Sequence, residues 1–428
     1  MNPQFSIIVP TLDNFLQVQE LLSSINSQTL LPQEIIIADS STSNEIADGL
    51  QAFTSLVPII YLRVGRAYAF DRFIKYFSSL SIFSGFFKTQ YSVGRAFPYE
   101  ATNAGAEIAS FEWLAFLDAT TIPAYSWLED YWAFLCSHQC DVVFGNTKYL
   151  AETHFQKLLR ASTYGRKGHE TAPGSIIKKV HFLSGHKILE GVRSGGDVAW
   201  KQDIKKNYKW FLPSESYLKY SNLPKRIFPT LKKFFIYQIY GSFVDIQHNA
   251  KDIYLGLTLL LSITIIPKWN YIVGWDSGLF IPHITKVFFI CILLIFSITF
   301  LINRAILRKY SSQSFSINLL KFMSFAIISY GIFRWNDLFA SWVEDSIWYV
   351  PHITKIFIFI VVSASFLYRG IYFPIKNKIE LSFLFPFNWV LIGMLGIALD
   401  VAKAPGYVLG AILATFSRSR SHKTDALR

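Results

Sequence analysis

"FSIIVPT", residues 5–11, is a short run of apolar and β-branched residues that ends at Pro10 and Thr11. This composition predicts a strand that is buried on both faces, as in a parallel sheet. The following residues have apolar side chains at helical spacing, and "EIIIADSS", residues 34–41, then predicts a second buried strand. A strand, a helix and another strand in this order favour an open α/β sheet.

Two more segments extend this pattern: "VPIIYLRV", residues 57–64, and "EWLAFLDA", residues 112–119. In open α/β sheets, ligands bind beyond the carboxyl ends of the strands. Three polar groups fall at these ends: the pair Pro10–Thr11, then Asp39, then Asp118. The sequence therefore predicts a binding crevice along one edge of the sheet.

The composition divides the chain into a soluble part and a membrane part. Of its 428 residues, 52% are hydrophobic and 16% are charged, and the apolar residues are unevenly spread. Before about residue 225 they form short runs, whereas from Ile253 onward they form long ones such as the uncharged segment 287–302. The net charge of +12 comes with basic residues next to apolar segments. We therefore expect the basic residues to contact anionic membrane lipids, and we expect no nucleic-acid partner.

We predict four regions from these changes in composition: residues 1–225 as an α/β domain, 226–252 as an interfacial amphipathic segment, 253–416 as transmembrane helices, and 417–428 as a basic tail. The segment 226–246 mixes basic and aromatic residues, which is typical of a helix lying in the membrane interface. Five apolar stretches follow, at 253–267, 286–303, 315–333, 354–369 and 383–400. They predict a multi-pass membrane protein.

The membrane part contains an internal repeat, because "PHITK" occurs at 282–286 and again at 351–355. Each copy lies between two apolar stretches, which indicates a duplicated helical hairpin. Basic residues lie in the other loops, and the positive-inside rule places those loops and the α/β domain in the cytoplasm. In the last stretch, Asp400, Lys403 and Pro405 interrupt the apolar run, and we expect a re-entrant hairpin there.

In the soluble part, "SIIVPTLDN" and "EIIIADSST" are followed by a block at 94–129 with an Arg, an Asn-x-Gly and a strand ending in Asp, and by a block at 172–204. In this order and spacing they resemble the family 2 glycosyltransferases, over roughly residues 4–220. The resemblance implies the GT-A fold, a Rossmann-like open sheet, here followed by an α-helical transmembrane domain. It also implies that the substrate is a sugar carried on a nucleotide diphosphate.

Carried over to this sequence, the resemblance implies a set of donor-binding residues. Pro10, Thr11 and Asp39 would hold the nucleoside, with the Asp39 carboxylate accepting from the base or ribose. Arg95 and Asn103 would lie near the diphosphate or support the loop around it. Two alternatives stay open, since Asp39 could merely end its strand in an Asx turn and Arg95 could be a surface charge.

Members of this family usually have two or more acids where this chain has Asp118, and these hold Mg²⁺ or Mn²⁺ together with the diphosphate oxygens. Here Thr120 and Thr121 stand in place of the later acid. Asp118 is thus predicted to bind both donor and metal, with an affinity weakened by the missing acid. The alternative is that Asp118 is a turn residue.

Asp197, in "RSGGDVAW", matches the family's general base, which takes the proton from the acceptor hydroxyl as that oxygen attacks the anomeric carbon and inverts it. An Asp after Gly-Gly also suits a helix N-cap. Trp200 could stack on the acceptor or simply pack. Processive synthases carry the signature QxxRW, and the residues after Gln202 do not complete it. We therefore expect the transfer of one sugar.

These features predict a membrane-bound inverting glycosyltransferase that acts on a lipid-linked or membrane-proximal acceptor, in surface polysaccharide or glycolipid synthesis. Two other functions stay open. The missing second acid would suit a degenerate homologue that binds a nucleotide sugar as a scaffold without turnover. The internal repeat would suit a transporter, although the apolar stretches carry few charges of the kind that a transport pathway needs.

Overall fold

A computed structural model describes residues 3–65, 96–244, 363 and 365–425, together with the single position 274. Several predictions from the sequence lie outside these residues. They are the role of Arg95, both PHITK loops with their duplicated hairpin, and all or most of the first four apolar stretches.

Four strands at the start of the chain form the parallel half of the sheet: β1 Phe5–Thr11, β2 Glu34–Asp39, β3 Ile59–Arg63 and β4 Trp113–Phe116. Strand β1 lies between β2 and β4 and is parallel to both, and β3 is parallel to β2. Every residue of β2 is buried, as its continuous apolar run predicts. The predicted open α/β arrangement of these four strands is confirmed.

The second half of the sheet is mixed and contains the shorter strands: β5 Thr121–Pro123, β6 Val142–Tyr149, β7 His169–Lys178, β8 Trp210–Phe211 and β9 Leu218–Tyr220. In the described residues the order is β3-β2-β1-β4-β7-β6-β9-β5, with β8 paired to β6. Strand β7 runs antiparallel to both β4 and β6, so the sheet changes direction beside Asp118.

Helices cover both faces of the sheet: α1 Phe15–Asn26, α2 Glu45–Ala52, α3 Pro98–Ile108, α4 Trp127–His138, α5 His154–Thr163, α6 Lys179–Leu183 and α7 Gly196–Asn207. Successive strand residues point to opposite faces, and two apolar cores result. Ile7 packs with α1 and α4, whereas Ile8 packs with α3 and α7.

The close contact of α3 with the sheet depends on Gly105. A Cβ atom at this position would lie 2.7 Å from Cγ2 of Ile8. Carbon atoms at that distance overlap, so a larger residue would push the helix away from β1. Gly105, the glycine of the Asn-x-Gly sequence, is therefore a packing residue.

The C-terminal part of the described chain is helical. It comprises α8 Ile227–Gly241, a π-helical turn Tyr368–Tyr372, the short helices α9 Phe373–Lys376 and α10 Leu381–Leu384, and the long helix α11 Asn388–Asp425. Within the described residues one helical segment of 23 residues, Asn388–Gly410, is long and apolar enough to cross a membrane. One such segment among the described residues does not support the multi-pass prediction.

The expected re-entrant hairpin near Pro405 is wrong. Helix α11 continues from Asn388 to Asp425 with Pro405 inside it. The charges that suggested a reversal are satisfied within the protein. Nη2 of Arg369 lies 2.9 and 2.7 Å from the two carboxylate oxygens of Asp400, and Nζ of Lys403 lies 3.7 Å from Asp400 Oδ1. Because these groups neutralise one another, the chain need not turn toward water.

Helix α11 packs on the α/β domain and on α8. Leu395 and Leu399 share an apolar cluster with Leu159 of α5. Two glycines let the α8 and α11 backbones approach each other, because a Cβ at Gly406 would lie 2.6 Å from the carbonyl oxygen of Phe235, and one at Gly410 would lie 2.3 Å from that of Ile239. The segment after residue 225 is therefore in contact with both the domain and the candidate membrane helix.

Candidate active site

The corner between β1 and β2 is built around Asp39, which is fully buried. Its Oδ1 accepts from the Ser41 backbone N–H at 2.9 Å and from the Ser41 hydroxyl at 2.5 Å, with the Thr11 hydroxyl at 3.3 Å. Its Oδ2 accepts from the hydroxyl of Tyr61 at 2.9 Å. Burial and the Asp39 carboxylate raise the pKa of Tyr61, so this phenol remains a donor. The Asx-type turn is thus present, and Asp39 lies beside Thr11 as the sequence predicts.

Asp118 follows β4 and is held in a tight turn. Its Oδ1 accepts from the backbone N–H of Thr120 at 3.0 Å and from the Thr120 hydroxyl at 2.9 Å. The Thr121 hydroxyl closes the turn on the backbone carbonyl of Asp118 at 2.7 Å. Among the described residues no donor contacts Oδ2 of Asp118, so one carboxylate oxygen remains available to a ligand. The turn is a structural feature that presents the acid.

Asp197 lies in the first turn of α7. This helix begins directly after its N-cap residue Gly195, whose φ is +87°. That left-handed conformation favours glycine and starts the helix sharply. The phenol hydroxyl of Tyr99, in the first turn of α3, donates to Oδ1 of Asp197 at 2.8 Å. Burial and the charge of Asp197 raise the pKa of Tyr99 well above its usual value. In the described part of the chain Oδ2 of Asp197 accepts no hydrogen bond.

Asn103 holds the loop that leads to Asp197. It is 1% exposed, and its amide group donates to the carbonyl of Ile188 at 2.7 Å and to Oε1 of Glu190 at 3.0 Å. Its carbonyl oxygen accepts from the backbone N–H of Ile188 at 3.1 Å. Glu100, one turn earlier, accepts from the backbone N–H of Gly191 at 3.0 Å. Of the two roles expected for Asn103, these contacts are those of loop support.

Helix α8 forms a wall of the same crevice. Tyr240 packs edge-on against Phe97, with ring centroids 5.2 Å apart, in a cluster that also includes Val192. The hydroxyl of Ser194 donates to the carbonyl of Tyr237 at 2.6 Å. The loop before α7 and the start of α3 are therefore attached to α8.

Two side chains of α8, Lys233 and Tyr237, point toward the predicted acids. The Lys233 ammonium lies 3.5 Å from the hydroxyl of Tyr220, and 5.7 and 5.4 Å from the ring centres of Tyr220 and Tyr237. Burial lowers the pKa of Lys233, and the negative charge of Asp118 opposes that shift. Lys233 therefore lies within electrostatic range of Asp118.

The two predicted acids act on the same tyrosines. Burial raises the pKa of Tyr149, and the charges of Asp197 and Asp118 raise it further. The pKa of Tyr237 is raised by burial and by both acids, and Arg193 acts against this. Phenols with raised pKa values remain protonated and can donate hydrogen bonds at neutral pH. Asp118 and Asp197, 79 positions apart in the numbering, are thus both close enough to influence the same two tyrosines.

The residues at Asp118 do not fit a divalent metal that the protein holds through its own side chains. Mg²⁺ and Mn²⁺ favour several oxygen ligands, usually with more than one carboxylate. In the described ranges no group of three or more His, Cys, Asp or Glu side chains could hold a metal ion. Among the described charged side chains, the cation Lys233 lies within electrostatic range of Asp118, and a second cation, Arg193, acts on Lys233.

Trp200 lies away from this crevice. It is 2% exposed, and its ring packs edge-on against Phe116 and Phe144 at centroid distances of 5.8 and 5.9 Å. The indole N–H donates to the carbonyl of His186 at 2.9 Å. A side chain with so little exposed surface has none to offer an acceptor, so the structure gives Trp200 the packing role that the sequence left open.

The sequence analysis missed the tyrosines and the cations of the crevice: Tyr99, Tyr149, Tyr220, Tyr237, Arg193 and Lys233. Tyr149 and Tyr220 are register partners on β6 and β9, a pairing that no local pattern indicates. Lys233 was included in a predicted interfacial helix, where a basic residue among aromatic ones is expected. Only the packing of α8 on the domain turns this lysine toward Asp118.

Neither protein-family models nor curated proteins match the sequence. Among solved structures, the chain is similar to a structure of residues 1–349 of TarS from S. aureus in complex with UDP-GlcNAc. The identity is 16% and the TM-score 0.38, and the match covers 58% of this chain and 70% of that one. A longer TarS structure matches with 16% identity and a TM-score of 0.35, and the match spans 42% of its length.

A third similar structure is the mannosyltransferase PcManGT from Pyrobaculum calidifontis in complex with GDP-Man and Mn²⁺. The identity is 13% and the TM-score 0.41, and the match covers 94% of this chain and 87% of that one. One of these structures is thus a mannosyltransferase, and two of them hold a nucleotide sugar, UDP-GlcNAc or GDP-Man. Since all three TM-scores are low, the function proposed below rests on the geometry of the site.

Proposed function

We propose that this protein is a membrane-bound inverting glycosyltransferase of the GT-A type. It moves one sugar from a nucleotide-diphosphate sugar to a lipid-linked or membrane-proximal acceptor. The observation that carries the proposal is the position of α8 beside both predicted acids. The Lys233 ammonium lies 3.5 Å from the hydroxyl of Tyr220, which is the register partner of Thr121 in the turn after Asp118. The carbonyl of Tyr237 accepts from the hydroxyl of Ser194, in the loop that leads to Asp197, at 2.6 Å.

The two ends of this crevice suit the two substrates. Thr11 and Asp39 lie where β1 and β2 end, and their hydroxyl and carboxylate groups are suited to a nucleoside. From there the edge of the sheet leads to Asp118, which faces the diphosphate. Asp197 lies on the other wall, at the start of α7, and faces the acceptor.

Asp197 is the general base in this proposal. Its Oδ2 takes the proton of the acceptor hydroxyl while that oxygen attacks the anomeric carbon of the donor sugar. The bond between this carbon and the diphosphate oxygen breaks, and the nucleotide diphosphate leaves with the electron pair. A single displacement of this kind inverts the anomeric configuration. Tyr99 holds the other carboxylate oxygen and so fixes the direction of the base.

The contact of α8 and α11 supports an acceptor at the membrane. Helix α8 lines the crevice with Lys233 and Tyr237 and packs by its other residues on α11, whose segment Asn388–Gly410 has the length and hydropathy of a span. Large aromatic side chains are exposed on both helices, among them Phe228 on α8 and Phe387 just before α11. With the other apolar stretches of the sequence, this favours a multi-pass protein whose catalytic domain lies in the cytoplasm.

The test is donor turnover by the full chain purified in detergent. A panel of nucleotide sugars is offered, and release of nucleoside diphosphate and transfer to a lipid-phosphate acceptor are measured. We expect Asp197→Asn to lose about 10²- to 10⁴-fold in kcat while it still binds nucleotide. Asp130→Asn is the matched control, because Asp130 is also an acid in the first turn of a helix. Equal activity of the two variants would contradict the role of Asp197.

A scaffold that binds a nucleotide sugar without turnover is the second candidate. The observation that favours it is the single acid in the turn after β4, where Thr120 and Thr121 stand in place of a second carboxylate and bond to Asp118. Nucleotide binding with no turnover of any donor in the panel would support this candidate and overturn the glycosyltransferase proposal.

A further inference from the structure

Among the described residues, Lys233 lacks the carboxylate partner that a buried lysine normally has. In the described part of the chain, no carboxylate oxygen lies within 4 Å of the Lys233 ammonium. Its one described hydrogen-bond partner is the Tyr220 hydroxyl, at 3.5 Å. A partly buried ammonium with so weak a partner is costly in free energy unless an anion binds there.

A second cation faces the same place. Arg193 lies in the loop that leads to Asp197, and the hydroxyl of its neighbour Ser194 donates to the carbonyl of Tyr237 on α8 at 2.6 Å. Its charge acts on both Lys233 and Tyr237. The two cations thus lie at α8 and at the loop attached to it, and the charge of Asp118 reaches Lys233. Protonated hydroxyl groups of Tyr220 and Tyr237 add hydrogen-bond donors that are well suited to phosphate oxygens.

A divalent ion would compete unfavourably for this position. The free oxygen of Asp118 is the one carboxylate atom that it could use there, and it would lie next to the positive charge of Lys233. Like charges at close range repel, the more so where water is partly excluded. The charge that a metal supplies in related chemistry is already provided here by side chains.

We infer that Lys233 and Arg193 bind the diphosphate of the donor and take the place of a divalent metal. This inference rests on the proposed function. As the bond from the anomeric carbon to the diphosphate oxygen breaks, the leaving group gains negative charge, and the two cations stabilise it. The proton of the acceptor goes to Asp197, so no metal-bound group takes part in any step.

The test is calorimetric binding of UDP and GDP to the full-length protein in detergent, with EDTA or with added Mn²⁺. We expect binding in EDTA, and an affinity that Mn²⁺ changes by less than about threefold. Lys233→Met should weaken binding about 10- to 100-fold, while Lys233→Arg, which keeps the charge, should recover most of it. Lys206→Met, at the exposed end of α7, is the matched control and should bind like the unchanged protein.

The outcomes separate the two proposals. Binding that needs Mn²⁺ and is unchanged in Lys233→Met would overturn the cation site and leave the glycosyltransferase proposal intact. Equal nucleotide binding by Lys233→Met and by the unchanged protein in EDTA would also overturn the cation site. If neither nucleotide binds with or without Mn²⁺, both proposals fail. Thermal midpoints from tryptophan fluorescence identify any variant that fails to fold. If Lys233→Met does not fold, the nucleotide affinities of Lys233→Arg and Lys206→Arg are compared instead.

Discussion

The hydroxyl of Tyr99 donates a 2.8 Å hydrogen bond to Oδ1 of Asp197 and connects the first turns of α3 and α7, 98 positions apart. Tyr99 is therefore a positioning residue for the proposed base. One carboxylate oxygen is held in place, and the other is directed toward the acceptor.

Tyr99→Phe removes this bond and leaves the ring. Because a hydrogen bond to a charged group contributes about 1.5–3 kcal/mol, we expect kcat to fall about 10- to 100-fold with the donor KM unchanged. Steady-state kinetics measure both constants. The matched control is Tyr125→Phe, since Tyr125 is 66% exposed. A raised donor KM with an unchanged kcat would show that Tyr99 shapes the donor pocket instead.

Asn103→Ala removes three hydrogen bonds from the loop before Asp197 and leaves the N–H and C=O of Ile188 buried without their partner. We expect a loss of about 2–4 kcal/mol in the free energy of unfolding, because unsatisfied buried groups are costly. Denaturant unfolding in detergent measures it. Asn207→Ala, at the exposed end of α7, should cost less than about 1 kcal/mol. Equal losses of stability in the two variants would refute the role of Asn103 in holding the loop.

Gly406→Leu places a side chain where the carbonyl oxygen of Phe235 would lie 2.6 Å from its Cβ. Helix α8 must then move away from α11, and Lys233 moves with it. We expect the stability to fall by about 1–3 kcal/mol and nucleotide binding to weaken. Val401→Leu, on an exposed position of α11, should leave both unchanged. If Gly406→Leu is destabilised but binds nucleotide normally, α8 does not contribute to the binding site.

Asp400→Ala leaves Arg369 partly buried without its carboxylate. The loss of one partner of a buried pair costs about 3–5 kcal/mol, whereas replacing both partners with apolar residues is often tolerated. We therefore expect Arg369→Met with Asp400→Met to be more stable than Asp400→Ala, as measured by thermal midpoints. The exposed pair Arg166–Glu380 is the control, and Glu380→Gln should cost less than about 1 kcal/mol.

His169 predicts a dependence of stability on pH. Its Nε2 donates to the carbonyl of Tyr164 at 2.5 Å, and burial lowers the pKa of His169. Above pH ~6.5 the ring is neutral in both the folded and the unfolded chain, so it adds no slope. Below that pH the unfolded chain binds a proton that the folded chain does not, so stability falls as pH falls.

Thermal midpoints between pH 7 and pH 5 measure this slope. His169→Gln should reduce it, and His154→Gln, at the exposed start of α5, should leave it as it is. A slope that is the same in all three proteins would assign the acid sensitivity to other groups.

Local sequence patterns predicted the elements whose causes are local. Strands β1 to β4 follow from short apolar runs. The order of Thr11, Asp39 and Asp118 along one edge follows from the parallel strands, since such strands end on the same side.

The patterns failed where a long-range contact changes what a residue does. Pro405 and two charges indicated a chain reversal, but Asp400 pairs with Arg369 and the helix continues. The basic and aromatic residues around Lys233 are typical of an interfacial helix. Trp200 lies three residues after Asp197, and this spacing allowed a contact with the acceptor. Their surroundings come from elements far away in the sequence, and no window of neighbouring residues contains that information.

The sequence alone therefore determined the α/β class, the edge of the sheet where ligands are expected, and the acids Asp118 and Asp197 as its candidates. Only the tertiary structure decided that these acids share one crevice, that Tyr99 orients the second, and that Lys233 faces the first. The physical reason is that secondary structure depends on short-range periodicity and turn chemistry. The chemistry of the site depends on the packing of α3, α7 and α8 against one another, which no local segment specifies.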